Sequence, residues 1–266
     1  MHPHRRGRNS FLQTNSGEVL LSGLELIIAL FAAFVGATVM GTVGFGYGLV
    51  LAPVLLLFLE PESGVIVVNG VITVLVASVV VRTYRHLEIR VVWLTCVGGI
   101  AAVPIGVLFL ANADPSVLRV AIGLVIFVLG IITLFNIQLP MVKTRATGGV
   151  VGFLTSLSIT TISIGGPLVA IYAVAQQWPA QKVRTTLAFY FLVSYLAAFA
   201  FYAWAGLVHR GTLLNIGILL PGLVAGLGVA SLIARRINQR IFRYAVAAVV
   251  ISGAVMLLSR ELLQKL

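Results

Sequence analysis

Gly41-Thr42-Val43-Gly44-Phe45-Gly46-Tyr47-Gly48 breaks one long apolar stretch of this chain, and Thr160-Thr161-Ile162-Ser163-Ile164-Gly165-Gly166-Pro167 breaks another. Glycines at alternate positions (Gly44, Gly46, Gly48) weaken a helix. Unwound backbone at membrane depth persists only where protein or a watery cavity satisfies its N–H and C=O groups. Matched interruptions in two halves of a chain therefore point to a transporter's binding site.

The rest of the chain fits a bilayer. Of 266 residues 60% are hydrophobic and 9% charged, with a mean hydropathy of +1.10. The charges gather in short clusters between apolar runs of helix-spanning length, the pattern of an integral membrane protein. The net charge of +11 and pI near 10.7 come from basic residues in separate loops rather than one stripe, so they mark topology and not nucleic-acid binding. A single cysteine, Cys96, excludes an intramolecular disulfide and a thiolate metal cluster, and reads as a small buried hydrophobe. Neither a metal nor a cofactor is expected.

Apolar segments fall at about 24–43, 46–59, 64–81, 91–111 and 117–136, then at 147–162, 165–177, 185–207, 212–234 and 242–262. Adding 118 carries Gly48 to Gly166, Pro61 to Pro179 and Tyr84 to Tyr202, and adding 124 carries Arg119 to Arg243. The order of long and short segments repeats as well, which indicates an internal duplication. The domain reading is a disordered tail at 1–22, a first membrane repeat at 23–137, a linker at 138–146 and a second repeat at 147–266.

The short segments after each break reach roughly 20 Å at 1.5 Å per residue, against a hydrocarbon core of about 30 Å. Each half is expected to open with a glycine-broken helical hairpin that dips in and returns, followed by three full spans. With that parity one side receives Arg82, Arg85, Arg90, Lys143, Arg145, Lys182, Arg184, Arg235, Arg236, Arg240 and Arg243, and only Glu88 as acid. The positive-inside rule puts this side in the cytoplasm. Five segments per half is an odd number, so the second half enters upside down. The expected fold is all-α and polytopic, an inverted repeat of two five-segment halves whose hairpin tips meet near the midplane.

Such tips offer free backbone N–H groups and the positive ends of two short helices, which suit an oxyanion. Hydroxyls and amides stand nearby. The candidate substrate-binding residues are Gly44, Gly46, Tyr47, Gly48, Asn69, Thr73, Thr160, Thr161, Ser163, Gly165 and Gly166. Thr42, Thr155, Ser156 and Ser158 belong to the same neighbourhood. The bland alternative for any hydroxyl is a bond to its own helix, and for Asn69 an interhelical bond. Gly98, Gly99, Gly106, Gly222, Gly226 and Gly228 read as helix contacts. No Asp or Glu lies deep inside a span, so a carboxylate proton relay has no candidate; a coupling ion, proton or sodium, stays open, as does a homodimer. A membrane-embedded enzyme would need a buried base that this chain does not offer. A cation or carboxylate carrier and a non-transporting assembly protein remain as alternatives.

Gly44-Phe45-Gly46-Tyr47-Gly48-Leu49-Val50-Leu51-Ala52-Pro53, Gly165-Gly166-Pro167-Leu168 and Ala180-Gln-Lys-Val-Arg-Thr-Thr186 resemble the repeated motifs of the TauE/SafE sulfite exporter family of membrane transporters. The likeness runs from about 24 to 260. Tyr47 interrupts the family's glycine triplet in the first motif, and Pro167 replaces a glycine in the second. The resemblance implies movement of a small sulfur oxyanion or organosulfonate, such as sulfite or sulfoacetate, commonly outward across a bacterial inner membrane.

Overall fold

The computed structural model describes residues 20–44, 46–87, 89–135, 145–166 and 180–233, together with 168, 169, 172, 176, 248, 251–259 and 263. Its elements are helical. In chain order they are α1 (Gly23–Val43), α2 (Tyr47–Leu55), α3 (Pro61–Thr83), a short 3-10 turn (Tyr84–His86), α4 (Ile89–Asn112), α5 (Pro115–Phe135), α6 (Arg145–Ile162), α7 (Ala180–Trp204) and α8 (Arg210–Ile233). Residues 251–259 form a further helical stretch. Among the described residues five helices are long and apolar enough to cross a bilayer: α1, α3, α4, α7 and α8. The chain is thus a multi-pass membrane protein. The tail at 1–19 and most of the 138–146 linker lie outside the described residues.

Element ends follow local chemistry. Pro61 opens α3, where its missing N–H is not needed. Asp114 Oδ1 accepts the Ser116 N–H at 2.8 Å and the Val117 N–H at 3.3 Å, capping α5. At that end of the bundle Arg119 pairs with Glu60 at 3.1 Å, joining α5 to the turn before α3. Leu24, Ile27 and Phe31 on α1 and Val224 and Leu232 on α8 are exposed, as a lipid-facing belt requires.

The centre belongs to α3, whose apolar window is 61% buried against 22% for α8. It packs on α7. Around this pair, α1 lies on α8 and α6 on α4, so in both cases the first segment of one half meets the fourth of the other. Both outer pairs run parallel. Gly222 faces Leu30, Gly226 faces Phe34 and Gly41 faces Ala230; likewise Gly98 faces Gly149 and Gly106 faces Thr160. A Cβ on Gly226 or Gly98 would fall on a backbone carbonyl of the neighbouring helix, so these glycines set the distance of approach. Gly99 likewise meets Ser156. Gly228 departs from the expectation of helix contact, because no atom of another described element approaches it. Two residues beyond Gly226, it lies on the opposite face of α8.

Candidate functional site

The first break is built from two left-handed glycines. Gly44, at φ 96°, ends α1 with its N–H on the Met40 carbonyl at 2.8 Å, and Gly46, at φ 107°, precedes α2. Tyr47 then packs back against Gly36, about two turns before the end of α1, so the chain reverses. At nine residues, about 14 Å, α2 is too short to cross a bilayer, whereas the 21 residues of α1 reach about 31 Å. The second break ends α6 in the same manner. Ser163, at φ 59°, donates its N–H to the Ile159 carbonyl at 3.0 Å and its Oγ–H to the Val65 carbonyl at 2.9 Å.

The two breaks meet. A Cβ on Gly48 would land on the Ser163 carbonyl oxygen, so glycine is what lets the first break touch the second. Gly46, Tyr47 and Gly48 line one wall of a small, partly open cleft with a free volume of about 20 Å³, and Ser163, Gly165 and Gly166 line another. Met40, Leu49, Ile72, Ile164, Phe191 and Tyr195 complete it. Sequence reasoning missed these six. Five are apolar side chains within or beside apolar segments, where composition carries no mark of which face turns inward.

Among the described residues, the cleft lining carries no charged side chain. Its side-chain hydroxyls are those of Tyr47, Ser163 and Tyr195. Tyr47 is almost fully buried and its hydroxyl has no hydrogen-bond partner. The first-turn N–H groups of α2 have no acceptor inside their own helix, which leaves donors and the positive helix end at the cleft wall.

The remaining candidates lie elsewhere. Gly44 is exposed beside the break and does not line the cleft. Asn69 is fully buried, and its Nδ2 donates to the Ile159 carbonyl at 2.9 Å and the Tyr202 hydroxyl at 3.0 Å, tying α3 to α6 and α7. Thr73 returns its hydroxyl to the Asn69 carbonyl at 2.7 Å, Thr160 to Ser156 at 2.9 Å and Thr161 to Leu157 at 2.8 Å. Thr42 does the same with Thr38 at 2.8 Å. In each the hydroxyl finds an acceptor one turn back, the cheapest partner available in an apolar medium. The pocket is therefore poorer in threonine hydroxyls, and richer in backbone and aromatic surface, than the sequence suggested.

Comparison with curated proteins and with solved structures gives no match. The family model described as Sulfite exporter TauE/SafE matches residues 28–257, from within α1 to beyond α8 and across both breaks, and the chain belongs to that family of membrane transporters.

Proposed function

We propose that the chain is a carrier for a small sulfur oxyanion or organosulfonate, such as sulfite or sulfoacetate, held between the two breaks and exposed alternately to either side of a bacterial inner membrane. One observation carries this reading: both breaks line one cleft among membrane-spanning helices, and its described lining bears no charged side chain. The substrate's lost hydration is offset by backbone N–H groups at the breaks and by the Tyr47 hydroxyl rather than by a buried cation. Family membership supplies the substrate class.

Helix packing supports the inverted repeat on which alternating access rests. In two halves of like orientation, a first and a fourth segment run antiparallel. Here α1 with α8 and α6 with α4 run parallel, as inversion of the second half requires. The pairing around α3 and α7 is also the same in both halves, so one unit can rock against the other about a fixed cleft.

The test is flux of radiolabelled sulfoacetate and sulfite in proteoliposomes. The wild-type chain moves at least one of them. Gly46→Leu and Gly166→Leu abolish movement while the protein still inserts and elutes as a single species; wild-type flux in both variants would overturn the assignment of the cleft.

A further inference from the structure

Among the described residues of the second half, four buried polar atoms make no well-formed hydrogen bond: Thr155 Oγ1, whose weaker approach is to the Tyr190 phenol, Thr185 Oγ1, Thr186 Oγ1 and Gln176 Nε2. The three threonines are at most 4% exposed. They differ from Thr42, Thr73, Thr160 and Thr161, each of which is satisfied by its own helix. A buried hydroxyl without a partner loses its hydration for nothing, and a valine of the same shape would avoid the loss.

Thr155 and Thr186 extend from the cleft along one line, and Thr185 adjoins Thr186 in the chain. Thr155 lies directly behind Gly165 of the cleft wall, its Cγ2 2.8 Å from where a Cβ on that glycine would stand. It also neighbours the phenol of Tyr190. Tyr190 donates to the Gly152 carbonyl at 2.8 Å and meets Ser156 Oγ at 2.8 Å, which in turn donates to Ser194 at 2.8 Å. Thr186 stands one turn before Tyr190 on the same face of α7, and Thr185 precedes it. The line thus runs from Gly165 and Tyr195 towards the end of the bundle where α6 and α7 begin.

The first half has nothing like it. At the offset of 119 that pairs Gly44 with Ser163, Thr155 corresponds to Gly36; at 118, Thr185 corresponds to Val67, Thr186 to Val68, Tyr190 to Ile72 and Ser194 to Val76. The last four are buried in the apolar core. We propose that Thr155, Thr185 and Thr186 line the route by which the hydrated anion passes between the cleft and that end of the bundle, and that the equivalent route through the first half is sealed by aliphatic side chains. The threonines lie outside the cleft lining in the state described, so the route is closed here and their hydroxyls are satisfied when it opens to water and substrate. This rests on the carrier reading above, and the experiment separates the two.

Single cysteines replace Thr185, Thr186, Val67 or Val68 in a Cys96→Ala background, and a charged, membrane-impermeant methanethiosulfonate is added to sealed vesicles of known orientation. Cysteines at 185 and 186 label from one face about tenfold faster than those at 67 and 68, since only a hydrated thiol ionises and reacts readily. Equal rates at all four positions overturn the route. Sulfoacetate flux on the same chain distinguishes the failures: rapid labelling without flux keeps the route and removes the carrier, whereas flux with slow labelling at 185 and 186 removes the route alone. Thr185→Val/Thr186→Val supplies the second readout. It lowers flux while leaving the melting temperature unchanged or raised, and unchanged flux in this folded variant counts against the route.

Discussion

The two breaks perform the same backbone operation with different residues. Each closes its helix with a left-handed residue whose N–H bonds the carbonyl four positions back, Gly44 to Met40 and Ser163 to Ile159. In the first break the conformation is nearly free, because glycine has no Cβ. In the second a side chain occupies it, at a cost of about 1–2 kcal/mol for an L-residue, and the Ser163 hydroxyl offsets much of this by bonding the Val65 carbonyl. The first break can therefore adjust its shape, while the second is fixed to α3. That division suits a site in which one wall is a reference and the other moves.

Their point of contact is where the comparison breaks most easily. Gly48→Val places a branched side chain on the Ser163 carbonyl, which is backbone and cannot swing aside. The two breaks must part. Overpacking of this kind costs about 1–3 kcal/mol, and the expected outcome is a lowered melting temperature with complete loss of flux. Gly228→Ala serves as the reference, since no atom of another described element approaches that position, and it should keep both properties. A Gly48→Val protein with wild-type melting and transport would show that the breaks do not need to touch.

Much of this arrangement was legible in the residues. The apolar runs at 24–43, 91–111 and 212–234 became α1, α4 and α8 to within about three residues, because few competing structures satisfy backbone groups in lipid. Both breaks were visible because clustered glycines, at alternate positions in the first and paired before Pro167 in the second, weaken a helix. The direction of individual hydroxyls was not. A threonine in an apolar helix is equally well satisfied by its own backbone or by a ligand, and sequence does not distinguish the two. Gly48 was read as a ligand-facing glycine, and its contact with Ser163 adds a packing role that depends on a residue more than a hundred positions away. The inward face of α7, with Phe191 and Tyr195, was hidden for a related reason: its apolar residues surround the helix, so no stripe marks the cleft.

Asn69 sharpens the contrast between residues that hold the site and residues that line it. Its amide supports the end of α6 just before the second break, through the Ile159 carbonyl, and its neighbour Tyr202 donates to the Thr160 carbonyl at 2.6 Å. Asn69→Leu removes both bonds, yet it also removes the Oδ1 atom that has no partner. The net loss should be about 1–2 kcal/mol of stability. Because Asn69 stands outside the cleft, the concentration giving half-maximal flux should stay at its wild-type value while maximal flux falls. A large rise in that concentration would move Asn69 into direct contact with substrate.

The smallest effect separates strain from tether at Ser163. Ser163→Ala retains the unfavourable φ and loses the bond to Val65, so it should destabilise by about 1 kcal/mol. Ser163→Gly loses the same bond but also relieves the left-handed strain, worth about 1–2 kcal/mol, so its stability should lie at or above that of Ser163→Ala and close to wild type. Flux gives the sharper reading. If the fixed second wall matters, the glycine variant, stable but untethered, should bind substrate more weakly than wild type, because the wall now samples positions that the Val65 bond excludes. Equal stability of the alanine and glycine variants would mean that the backbone at 163 is unstrained, and the asymmetry between the two breaks would then rest on the tether alone.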